Sequence, residues 1–151
     1  MFMDINSGAG SSFPSNFTLL NNKILFAAND GINGTELWIS DETVAGTKIL
    51  KDIRAGVDSS LPKSFTIYKG KLYFIANENV FNSELYVSDG TESGTQIFKR
   101  INQNNSSDIS NLIVFNNLLF FAADDGNGKV LWSTDGTDAG TTKVKDIVPN
   151  E

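Results

Sequence analysis

The sequence contains no cysteine and no histidine. The first absence excludes a disulfide framework, a thiolate nucleophile and Fe–S or cysteine-type zinc sites. The second excludes an imidazole base, a Ser-His-Asp triad and a histidine-ligated metal. Positive charge is scarce, with Lys+Arg 12 against Asp+Glu 18 and a net charge of -6. The resulting pI near 4.6 argues against nucleic acid as a partner, since a phosphate-backbone binder needs a basic face. No apolar run approaches the roughly 20 residues of a membrane span. The opening MFMDINSGAG lacks the charged-then-apolar pattern of a signal segment, so the chain is read as a fragment of something longer. What remains is a globular composition, 40% hydrophobic and 20% charged, in a length of 151 residues that suits one domain. Composition names no reaction.

Internal repetition is the informative signal. Residues 1–151 read as a single repeat domain with units 8–53, 54–101 and 102–147. Trp38, Tyr86 and Trp132 lie 48 and then 46 residues apart, and Ile53, Ile101 and Ile147 keep the same spacings. The third unit is therefore two residues short, in loops. Residues 1–5 match Ile49 to Ile53 and are expected to form the tail strand of a preceding unit, which brings the expected total to thirteen strands.

Each unit predicts four strands and no helix. FTLL, FTIY and LIVF are each followed, after Asn21-Asn22, Lys69-Gly70 or Asn116-Asn117, by KILFAAN, KLYFIAN or LLFFAAD. Two apolar runs parted by two such residues predict a tight hairpin. ELWIS, ELYVS and VLWST form the third strand, and TKILKDI, TQIFKRI and TKVKDI the fourth. Period-two alternation places Glu36, Trp38 and Ser40 on one face of the third strand and Leu37 and Ile39 on the other. The second strands, carrying Phe26, Phe74 and Phe121, are expected to be buried on both faces. Lys51, Lys99 and Lys145 mark the fourth strand as the outer edge, because lysine deters edge-to-edge pairing. Four strands in about 48 residues, repeated without helices, predict an all-β, β-propeller-like array of three four-stranded antiparallel blades. A β-solenoid also has a fixed period, but two-residue hairpins suit an antiparallel meander better.

The repeated loop residues are those of turns. Gly31, Asn79 and Gly126 align, as do Gly34, Asn82 and Gly128, which predicts a positive φ at both places. Thr35 and Ser83, beside the second site, are placed to satisfy a local backbone group. Asp41, Asp89 and Asp135 are placed for Asx turns, with Thr43, Thr91 and Thr137 adding a second bond. Gly46, Gly94 and Gly140 are expected to be left-handed, whereas Glu42 at the place of Gly90 and Gly136 suggests that glycine is not needed there. Asp30, Asp124 and Asp125, with Asn33 and Asn127, supply hard oxygen donors for Ca²⁺, but the dense ligand spacing of a calcium loop is missing and turn structure is preferred. The Trp38, Tyr86 and Trp132 ladder is assigned to packing ahead of a carbohydrate site. Asn16-Phe17-Thr18, Asn33-Gly34-Thr35, Asn104-Asn105-Ser106 and Asn105-Ser106-Ser107 match the glycosylation acceptor pattern, which arises easily by chance in an Asn-rich chain. Glu36 and Glu84 recur but Val130 replaces them in the third unit, so no ring of catalytic carboxylates is maintained. No catalytic, cofactor or metal residue is assigned, and no cofactor is implied.

The strings ELWISDETVAGTKILKDI, ELYVSDGTESGTQIFKRI and VLWSTDGTDAGTTKVKDI resemble the ELWxxDGT repeat family of bacterial proteins. Departures are Tyr86 for Trp, Glu42 for Gly and Val130 for Glu. The resemblance implies an extracellular or cell-surface repeat array and brings no catalytic residues with it. Propellers have 4–8 blades, so three units leave two open faces. A homodimer closing a six-bladed ring, or neighbouring repeats of a longer chain, would cover them. The expected function is a non-catalytic binding or structural module whose ligand is a protein, a glycan or another copy. The competing expectation is a glycosidase or lyase built on loop carboxylates.

Overall fold

The structure is a computed structural model describing residues 3–145. Twelve strands form three four-stranded antiparallel sheets, with no helix among the described residues. The first sheet holds β1 (Ser15–Leu20), β2 (Lys23–Asn29), β3 (Thr35–Ser40) and β4 (Lys48–Lys51). The second holds β5 (Lys63–Tyr68), β6 (Lys71–Asn77), β7 (Ser83–Ser88) and β8 (Gln96–Lys99). The third holds β9 (Ser110–Phe115), β10 (Leu118–Asp124), β11 (Lys129–Thr134) and β12 (Thr142–Lys145). Sequence neighbours pair within every sheet, so each is a plain meander.

The hairpin residues explain the meanders. Asn21 and Asn22 have φ of 51° and 59°, Lys69 and Gly70 48° and 70°, and Asn116 and Asn117 46° and 58°. Two successive left-handed residues make the turn whose twist matches that of the flanking strands. Each first strand also carries a bulge that sequence reading did not anticipate. Asn16, Ser64 and Asn111 sit at φ of 57°, 58° and 58°, where the pairing with the second strand slips register.

Packing follows from alternation along the strands. Leu20, Leu25, Leu37, Ile39 and Leu50 of the first sheet meet Leu72, Phe74, Ala76 and Tyr86 of the second. The other face of the second sheet, with Tyr68, Tyr73, Ile75, Leu85 and Val87, meets Leu119, Phe121 and Ala123 of the third. Fully burying one such leucine or phenylalanine contributes roughly 1.5–3 kcal/mol, so these two apolar layers dominate cohesion. The first strands stand side by side, β1 against β5 and β5 against β9, while β4, β8 and β12 take the opposite edges.

Two expectations need correction. Met3 to Ile5 form no strand, and Met1 and Phe2 lie outside the described residues, so the described strands number twelve rather than thirteen. The end of the third unit, residues 146–147, also lies outside them. The second strand is covered on both faces in β6 but not in β10, where burial alternates because no further sheet covers its outward side. Two apolar faces are consequently open. On the first sheet Phe26, Ala28 and Trp38 pack with Ile5, Ile24 and Ile49, and Phe17, stacked on Phe26, and Leu19 are 63% and 69% exposed. On the third sheet Ile113 and Phe115 are exposed, with Leu131 and Val144 beside them.

Candidate functional site

The most regular side-chain chemistry lies in the loops joining each third strand to its fourth. Asp41 Oδ1 accepts from Thr43 N at 3.0 Å and from Thr43 Oγ1 at 2.6 Å, and Thr43 Oγ1 accepts from Gly46 N at 2.9 Å. Asp89 with Thr91 and Gly94, and Asp135 with Thr137 and Gly140, repeat this network. Ahead of all other causes, the threonine hydroxyl holds each of these three carboxyls below the ordinary aspartate value. Every loop is closed underneath by a buried hydroxyl pair, Ser40 with Thr47 at 2.7 Å, Ser88 with Thr95 at 2.7 Å and Thr134 with Thr141 at 2.8 Å. Sequence reading missed those pairs, although Ser or Thr seven residues before Thr recurs in all three units.

The expectation of left-handed glycines at the end of this loop is corrected. Gly46, Gly94 and Gly140 are not left-handed; a Cβ on any of them would overlap the carboxylate of Asp41, Asp89 or Asp135. Glycine is required there by space. The left-handed place is the one after the aspartate, where Gly90 and Gly136 have φ of 89° and 91° and Glu42 itself adopts 71°.

Between the second and third strands the units diverge. Gly31, Gly34, Gly126 and Gly128 have positive φ, but the aligned Asn79 and Asn82 do not. The second unit builds its turn from a side chain instead, with Asn79 Oδ1 accepting from Phe81 N at 2.9 Å and Asn82 N at 3.1 Å. Asp30 Oδ1 does the same one position earlier, from Ile32 N and Asn33 N. Asp124 Oδ1 accepts from Gly126 N and Gly128 N, and Asp125 pairs with Lys143. Asp30 and Asp124 are thus engaged within their own turns, and Asp125 is shared between Asn127 N of its turn and Lys143 on β12. No three Asp, Glu, His or Cys side chains gather as a metal-holding group among the described residues.

A second constellation spans the seams between sheets. Glu36 on β3 is fully buried; its Oε2 accepts from Ile53 N at 2.8 Å and Ser60 Oγ at 2.6 Å, and its Oε1 from Ser60 N at 2.8 Å. Thr35 N donates to Ser59 Oγ at 2.8 Å, a link to the next segment. Glu84 on β7, also fully buried, accepts from Ser107 Oγ at 2.6 Å, and that hydroxyl accepts from Ile101 N at 3.1 Å and Asn102 N at 3.0 Å. Ser83 N donates to Ser106 Oγ at 3.0 Å. Arg100 grips both oxygens of Glu78 at 2.7 Å and brings Nη1 within 3.7 Å of Glu84 Oε1. Burial pushes both the Glu36 and the Glu84 carboxyl above the ordinary glutamate value, against the serine bonds that favour the charged form. These carboxylates fasten the first and second sheets to the segments that begin the second and third. Sequence reading noted the glutamates but not their partners; the signal was the pair Ser11-Ser12, Ser59-Ser60 and Ser106-Ser107 before each first strand.

The aromatic ladder does not form one surface. Trp38, Tyr86 and Trp132 sit opposite Phe26, Phe74 and Phe121 in their own sheets and belong to three different apolar clusters. Burial pushes the Tyr86 hydroxyl up to about 12, so it stays protonated at neutral pH. An apolar hollow of about 320 Å³ on the open face of the first sheet is lined by Met3, Ile5, Pro14, Phe17, Ile24 and Phe26, with Ser40, Glu42 and Thr47 at its side.

Among comparisons with known proteins, no protein-family model matches the chain, and no curated protein does. One similar solved structure comes from a structural and mechanistic study of two prolyl endopeptidases. It aligns with a TM-score of 0.58 at 13% identity, over 85% of this chain and 19% of that one. The chain thus spans about a fifth of that protein's length. At such identity the likeness concerns the all-β fold alone. Among the described residues no helix is long and apolar enough to cross a membrane.

Proposed function

We propose that the chain is a non-catalytic binding or structural module of a bacterial secreted or cell-surface protein, its three sheets being blades of a partial β-propeller. The packing order is the observation that carries this reading. Each sheet lays one apolar face on the next, the first strands stand side by side, and the fourth strands lie at the far edges. Propeller blades are arranged in this radial way. Kinship with the ELWxxDGT repeats is part of the proposal, and the motif's Asp, Thr and Gly are all spent on loop construction. An enzyme on the same scaffold finds less support. The loop aspartates are bonded within their turns, and Glu36 and Glu84 are enclosed between sheets.

Three blades leave two apolar faces that further blades would cover, from neighbouring repeats or from a second copy. Two copies would make a six-bladed ring. Light-scattering mass with small-angle scattering, read from dilute solution to the solubility limit, tests this. The expected result is a concentration-dependent doubling of mass to a flat, ring-shaped particle. A single-chain mass at every concentration, or growth into rods, would overturn closure of the ring by a second copy.

A further inference from the structure

Both seams inside the chain rest on a glutamate that the open face of the first sheet lacks. Glu36 seats on Ser60 and Glu84 on Ser107. Ser12 holds the corresponding place before the first sheet. Its carbonyl accepts from Asn29 N at 2.9 Å, as that of Ser60 does from Asn77 N at 2.7 Å and that of Ser107 from Asp124 N at 2.8 Å. Ile5 packs on the Phe26 and Trp38 cluster, as Ile53 packs on the cluster of Leu72 and Phe74 and Ile101 on that of Leu119 and Phe121. Yet no described residue accepts a hydrogen bond from Ser12 N, Ser12 Oγ or Ile5 N. Ser12 is half-buried where Ser60 and Ser107 are fully buried. At the other end of the array Val130 stands in the glutamate's place on β11, half-buried.

We propose that the open face of the first sheet is a docking site for a repeat sheet that bears a glutamate at the Glu36/Glu84 position, its carboxylate seating on Ser12 and the Ile5 amide. The inference rests on the stacking of sheets proposed above and specifies which sheet the face accepts. Repetition argues for this occupant, because both internal seams match the same apolar face to the same carboxylate. A second copy arriving with its third sheet presents Val130 instead. It buries the Ser12 donors without an acceptor, which makes self-closure weak.

The test uses the full chain and the dimer dissociation constant from sedimentation. Val130→Glu is expected to tighten self-association at least about tenfold over wild type, although it adds negative charge to an acidic chain. Ser12→Ala is expected to remove most of that gain and to leave the wild-type constant unchanged or tighter, because it deletes a hydroxyl that Val130 leaves unpaired, the coupling expected of residues in contact. Val130→Gln supplies one acceptor oxygen without charge and is expected to gain by a smaller factor; it decides the matter if Val130→Glu does not fold. No gain in either variant, or a gain that survives Ser12→Ala, overturns the inference. If wild type already closes as tightly as Val130→Glu, the carboxylate inference fails and the stacking proposal stands. If no variant self-associates, both fail.

Discussion

Glycine in this chain answers to two different constraints. After the loop aspartates it provides a left-handed φ, and Glu42 shows that a side chain can be forced into the same conformation. Five residues after the aspartate it makes room for the carboxylate. The strict recurrence of Gly46, Gly94 and Gly140 was legible in the sequence, but its cause was not. Spacing along a chain does not reveal that a carboxylate folds back over the backbone. Replacing Gly94 with Ala is expected to cost about 2 kcal/mol or more, through overlap with Asp89 and loss of its bonds to Thr91. Urea denaturation would register the loss, and an unchanged midpoint would remove the steric explanation. The same aspartate sets a pH dependence. Thr91 holds the folded Asp89 carboxyl below its unfolded value, so its contribution is present above the unfolded pKa and is lost as pH falls through the folded one. The stability gap between wild type and Asp89→Asn is therefore expected to narrow as pH is lowered below about 4. An equal gap at pH 7 and pH 3 would contradict the assignment.

Local chemistry and tertiary chemistry divide at the level of elements. The meanders were legible because two-residue hairpins and period-two alternation are properties of contiguous residues. The bulges at Asn16, Ser64 and Asn111 were less so: asparagine tolerates positive φ, but Ser64 hides the pattern in the second unit. The loop after β6 was misjudged because Asn79 can either turn left-handed or bond backbone amides through its side chain, and it does the second. Seams between sheets could not be read from periodicity at all, since Glu36 and Ser60 are 24 residues apart. Their weight is measurable. Ser60→Ala removes the 2.6 Å hydroxyl bond to a buried carboxylate and is expected to destabilise the chain by about 1–3 kcal/mol, seen as a lower denaturation midpoint. A change below about 0.5 kcal/mol, the ordinary range of a surface substitution, would mean that the carboxylate does not depend on the serine.

For the whole molecule, the repeat foretold three sheets, while the fates of the two end faces emerge only from their packing. The sheets inside the chain join the face carrying Leu20 or Tyr68 to the face carrying Phe65 or Leu112. The unpaired counterparts are Phe115 at one end and Phe17 at the other, both more than 60% exposed. The proposed assembly requires these ends to meet, and the absence of cysteine, which began as an exclusion of reactions, allows single thiols to report on it. A Phe17→Cys chain mixed under oxidising conditions with an isotope-labelled Phe115→Cys chain is expected to give the mixed disulfide in clear excess over both homodisulfides. A statistical mixture, or a preference for either homodisulfide, would contradict the end-to-end stacking on which the account rests.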